Sequence, residues 1–155
     1  MNEAFMREAI ALSIDKMEAG EGGPFGAVVV NNGTIVGRGW NCVTSANDPT
    51  AHAEIMAIRN ACTALGTFDL SGCELYASCE PCPMCLAAIY WARLDKLTFA
   101  AGREDAAAAG FDDELIYTEI SKPWKNRRLP AEQMMQTEAQ KAFQLWVKRE
   151  SRIIY

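Results

Sequence analysis

One histidine is all that this 155-residue chain contains, and its other scarcities narrow the possibilities further. Charged residues make up 23% of the sequence against 50% hydrophobic, a globular balance that excludes an intrinsically disordered chain. No apolar run reaches the roughly 18 residues that a membrane-spanning helix needs. Met1 to Ala19 mixes Glu3, Arg7, Glu8, Asp15 and Lys16 among its apolar residues, unlike the uncharged heart of a secretory signal. Cations are outnumbered 15 to 20, and a formal net charge of −5 is a poor start for holding a long polyanion. Four cations between Lys122 and Arg128 are interrupted by Pro123, Trp124 and Asn126, so that stretch reads as a solvated segment. Neither nucleic acid nor membrane is an expected partner. Six cysteines, two of them at metal-ligand spacing, imply reduced thiols and a cytoplasmic location rather than a disulfide framework.

What is present reads as a single domain over 1–155 with one sizeable core. Phe5, Ala9 and Leu12 recur at helical spacing, which predicts an amphipathic helix over Glu3 to Ala19 that Gly20, Gly22, Gly23 and Pro24 then break. Phe25 to Asn31 and Thr34 to Asn41 read as strands joined at Asn32-Gly33, a strong hairpin signal. After a loop over Cys42 to Asp48, Asp48-Pro49 suits an N-cap and first turn, opening a helix that ends near Gly66. A strand over Cys73 to Ser78, a helix from Pro81 to about Ala92 and a strand over Lys96 to Ala101 follow. Such alternation implies an α/β fold with helices on both faces of a mixed sheet. Beyond Gly102 the pattern weakens: a short helix over Ala106 to Ala109, one more strand over Gln133 to Thr137, and a helix over Glu138 to Arg149.

The lone histidine, His52, sits in Thr50-Ala51-His52-Ala53-Glu54, and Cys79-Glu80-Pro81-Cys82-Pro83-Met84-Cys85 follows. A neutral imidazole ligates a metal near pH 7, and cysteines three apart can aim both sulfurs at one point from a helix. One nitrogen and two thiolates suit Zn2+, and three protein ligands leave a tetrahedral ion one open position. With both ligand turns at helix N-termini, the partial positive charge there favours the thiolates. Glu54, two residues after His52, is badly placed on a helix to ligate beside it. It is the candidate to take a proton from water and deliver it to a leaving group. Other readings compete: a redox pair, a closed structural site with Cys79 as fourth ligand, or a zinc-stabilised binding protein without turnover. Cys42, Cys62 and Cys73 read as small buried hydrophobes.

H-x-E followed by P-C-x-x-C is the pattern of zinc-dependent nucleobase deaminases. With it in view, the chain resembles the cytidine deaminase-like superfamily and, within it, the small bacterial guanine deaminases. The likeness includes G-G-P-F-G-A at Gly22 to Ala27, N-D-P-T-A-H-A-E at Asn47 to Glu54 and S-C-E-P-C-P-M-C at Ser78 to Cys85. A-I-Y-W-A-R at Ala88 to Arg93 and A-G-F-D-D at Ala109 to Asp113 extend it. The last segment and the terminal Tyr155 select the guanine branch. The resemblance implies a three-layer αβα fold with a five-stranded mixed sheet, one Zn2+ per subunit, and a homodimer exchanging its C-terminal segments, about 102–155. It implies His52, Cys82 and Cys85 as ligands, Glu54 as catalytic acid and base, Asn41 hydrogen-bonding the purine, and Phe25 and Trp91 lining the ring slot. Asp113, or Asp112 if the register is one off, would be a second acid that contacts the base or shuttles protons. Tyr155 would cover the partner's site. The implied reaction is hydrolysis of guanine to xanthine and ammonia, a step of purine catabolism. Deamination of guanosine, cytosine or another aminated heterocycle is the near alternative, and of tRNA adenosine a more distant one.

Overall fold

The protein is described by a computed structural model covering residues 2–155. It forms two compact units, Met1–Asp113 and Glu114–Tyr155. In the first, α1 (Glu3–Glu18) starts where the Asn2 side chain accepts from Ala4 N at 3.0 Å. Strands β1 (Gly26–Asn31) and β2 (Thr34–Trp40) form the expected hairpin. Asn32 and Gly33 both take positive φ, 47° and 75°, as a tight two-residue turn requires. Strand β3 (Cys73–Cys79) pairs antiparallel with β1, and β4 (Lys96–Ala101) pairs parallel with β3. The sheet order is β2-β1-β3-β4, a mixed sheet.

Alternation along the central strands decides the layers. Val28, Val30 and Tyr76 point to one face and pack with Phe5, Met6 and Leu12 of α1. Ala27, Val29, Leu75 and Ala77 point to the other, against α3 (Ala53–Leu65) and α4 (Pro83–Trp91). The α3 contact is unusually close because small residues meet there. Ala53, Ala57 and Ala61 recur every four residues and are buried. A methyl group on Gly39 would collide with Ala53 O, and one on Gly37 with Ala57 O. The first turn of α3 is thereby fixed against the sheet, and the site depends on that turn.

The two ligand helices and the sheet differ from the expectation. The helix expected at Asp48-Pro49 begins instead at Ala53. Asp48 Oδ1 accepts from Thr50 N at 2.8 Å and Thr50 Oγ1 at 2.7 Å, so its side chain closes a local turn and caps nothing. The loop before it contains a short helix, α2 (Val43–Ala46). The second ligand helix, α4, starts at Pro83 rather than Pro81, with Pro83 in the first helical position where a missing N–H costs nothing. The third is the sheet: among the described residues it has four strands, not five. Residues 131–135 are irregular, and Met135 has φ 55°, a left-handed turn that leads into helix rather than strand.

After β4 comes α5 (Arg103–Ala108), earlier than expected because Asp105 Oδ2 accepts from Gly102 N at 2.9 Å. The second unit holds α6 (Glu114–Ser121), unforeseen in the sequence, a 3-10 turn (Trp124–Asn126) and α7 (Gln136–Lys148). None of its residues is buried. Two of its cations are held locally: Lys122 pairs with Glu119, and Arg127 lies 3.9 Å over the Trp124 ring.

Candidate active site

His52 and Cys82 both occupy helix N-caps, of α3 and α4, with extended backbone and no side-chain capping bond. That frees imidazole and thiol to point away from their own helices. Cys85 follows in the first turn of α4 and is buried. The three converge: His52 Nδ1 lies 3.5 Å from Cys82 Sγ and 3.5 Å from Cys85 Sγ. All three donor atoms lie within 4.8 Å of one another. A tetrahedral ion at ordinary Zn–N and Zn–S lengths would separate nitrogen and sulfur by about 3.5 Å, so the donor set fits zinc. Cys79 stands outside the group and turns its thiol toward Gly102 O at 3.7 Å. All six cysteines are free; Cys73 is buried as expected, while Cys42 and Cys62 are only half-buried.

The electrostatics prepare one thiolate. Hydrogen bonding from Cys85, helped by His52, holds Cys82 down at a pKa of about 4 against the opposing effect of burial. Cys85 moves the other way, pushed up by Cys82, by burial and by Glu54. His52 is pushed up, chiefly by its hydrogen bond with Cys82. Glu54, in the first turn of α3, is 8% exposed. Burial raises its pKa, and hydrogen bonding with Cys85 offsets part of that. Its carboxyl therefore borders the ligand cluster without belonging to it.

Asn41 is buried beside the Gly22–Gly23 loop. Its Oδ1 accepts from Gly23 N and Val43 N, both at 3.2 Å, which leaves the amide nitrogen as the donor to offer a ligand. Phe25 is half-buried and meets Phe111 edge-to-face, centroids 4.9 Å apart. Phe111 thereby anchors the segment that ends at Asp113. Asp113 is half-buried, and the charge of Cys82 acts on it. Burial raises its pKa, while Arg103 works against the rise. Asp112, the off-register alternative, is exposed. Trp91 is 68% exposed and sits at the far end of α4, about 13 Å along the helix from Cys82. Tyr155 is 69% exposed in the second unit. Within the first unit, Trp91 thus stands at the end of α4 opposite the ligand turn. In the sequence Phe111 stands only as part of the A-G-F-D-D segment, with no role of its own, and Arg103 carries no signal at all.

Comparison with known proteins agrees with this geometry. A family model described as the cytidine and deoxycytidylate deaminase zinc-binding region matches residues 1–101. The chain is 54% identical over 145 residues to a guanine deaminase of Bacillus subtilis (strain 168), covering 94% of this chain and 93% of that one. A tRNA-specific adenosine deaminase of Aquifex aeolicus (strain VF5) is 43% identical over 99 residues, 64% of this chain and 65% of that one. The X-ray structure of guanine deaminase from Bacillus subtilis matches with a TM-score of 0.97 and 52% identity, covering 100% of this chain and 99% of that one.

Proposed function

The chain belongs to the cytidine and deoxycytidylate deaminase zinc-binding family, and from that premise we propose that it hydrolyses guanine to xanthine and ammonia. One observation carries the chemistry: His52, Cys82 and Cys85 converge with a buried carboxyl, Glu54, at their edge. The substrate rests on the likeness to the Bacillus subtilis guanine deaminase, which runs over 94% of the chain rather than the motif alone.

His52, Cys82 and Cys85 would hold one Zn2+, which when bound acts as a Lewis acid and lowers the pKa of a coordinated water to about 7. Glu54 takes a proton from the attacking water as its oxygen bonds to guanine C2. It hands that proton to N3, which receives the C2=N3 π pair. It then carries the C2 hydroxyl proton to the amino nitrogen as C2=O forms, the C2–N bond breaks and ammonia leaves. Burial suits Glu54 to both halves of the cycle, because it favours the neutral acid that must give the proton back. The Asn41 amide nitrogen donates to the purine, and Phe25 offers a flat apolar wall. Asp113 meets the base edge as a second acid. An ammonia-release assay across guanine, guanosine, cytosine, adenine and adenosine tests the reading. Guanine is expected to be the preferred substrate; release from another of these with none from guanine removes the substrate assignment.

We also infer that two chains exchange their tails, so that one domain is completed by the partner. Support comes from the exposed apolar side chains of the second unit, among them Phe143, Trp146, Ile153 and Ile154. Strand β4 pairs on one side only, leaving an open sheet edge that natural proteins normally cover. In this reading Trp91 and Tyr155 reach the site in the dimer. Mixing a Glu54→Gln chain with a chain cut before Tyr155 checks the exchange. Regained turnover in the mixed dimer is expected; activity no higher than the sum of the two parents refutes it.

A further inference from the structure

Arg103 opens α5, and its two ends tie together segments that carry different parts of the site. Its backbone N–H donates to Glu80 Oε2 at 3.3 Å, and Glu80 stands two residues before Cys82. The Glu80 N–H in turn donates to Ala101 O at 2.9 Å, fixing the ligand turn against the end of β4. From that anchored backbone the Arg103 side chain reaches Asp113, Nη2 to Oδ1 at 3.8 Å. The two side chains are only 32% and 21% exposed. Phe111, packed on Phe25, holds the intervening chain from the other side.

We propose that Arg103 is a positioning residue for Asp113, holding the second acid aimed at the substrate edge from a backbone fixed to the zinc-ligand turn. The proposal rests on the reading of Asp113 as a substrate-binding acid. Without Arg103, the Asp113 carboxyl loses the guanidinium that works against its burial, while the Asp112 charge beside it remains. Its midpoint therefore moves up, and the carboxylate that accepts from guanine N–H groups is no longer held in place.

Carboxyl-carbon NMR of aspartate-labelled, zinc-loaded protein tests this, with the Asp113 resonance assigned by its absence in Asp113→Asn. Arg103→Gln is expected to raise the Asp113 midpoint, and Arg103→Lys to restore most of it by returning the charge. In parallel, Arg103→Gln is expected to raise KM for guanine about three- to fivefold, the size of a partly exposed ion pair, with kcat nearly unchanged. Zinc content stays at the wild-type level in both variants. An unmoved midpoint overturns the proposal, as does a moved midpoint with KM unchanged. The titration needs no substrate, so a wild-type enzyme inactive on guanine would count against the proposed function and not against the ion pair.

Discussion

Glu54→Gln is expected to bind zinc as the wild type does and to lower kcat about 10³-fold, in the range ascribed to one positioned acid–base group. Glutamine keeps the shape and hydrogen-bonding reach of the side chain but cannot accept and return a proton. The site remains intact because Glu54 stands outside the cluster of donor atoms. KM should move little, since the lost interaction belongs to the transition state. Steady-state kinetics with metal analysis of the same samples give the answer. Turnover within tenfold of wild type would remove Glu54 from proton transfer, whereas loss of zinc would show it to be a ligand or its support.

Stripping the metal is the second large effect. Treatment with a strong chelator is expected to abolish ammonia release entirely, and one equivalent of Zn2+ per chain to restore it. The donor set also fixes the sign of the pH dependence. In the metal-free site Cys82 is already a thiolate, but Cys85 keeps its proton because the Cys82 interaction and burial push its pKa up. His52 is likewise raised. Zinc must displace these protons, so affinity rises with pH and uptake near neutrality releases about one to two protons per ion. A pH-indicator titration during reconstitution measures that number. Uptake without proton release would mean that Cys85 does not ligate as a thiolate.

Much of this was legible before the fold was known. The hairpin at Asn32-Gly33 and the period-two strands set the two faces of the sheet, and the helix over Glu3–Glu18 fell where its apolar spacing placed it. The set His52, Cys82 and Cys85 followed from residue types at fixed spacing, because only one histidine exists and one cysteine pair follows a turn-forming proline. The misreadings at Asp48 and Pro81 share a cause. Capping is a local competition, and the sequence does not say whether Asp48 will cap a helix or close its own turn with Thr50. The result is chemically useful, since N-cap residues lie outside the helix and keep their side chains free for a metal.

Composition and short-range spacing are properties of the chain itself, so the sequence alone determined the layered α/β fold, the donor types and the acid beside them. The tertiary structure decided what depends on segments far apart in sequence meeting. It brought His52 to within 3.5 Å of sulfurs thirty positions and more away. It turned Glu54 to the cluster's edge, seated the first turn of α3 against the glycines of β2, and set Arg103 against Asp113. It also held the sheet of the described residues at four strands, since the extended geometry of a fifth strand needs a neighbour to bond with and residues 131–135 have none there.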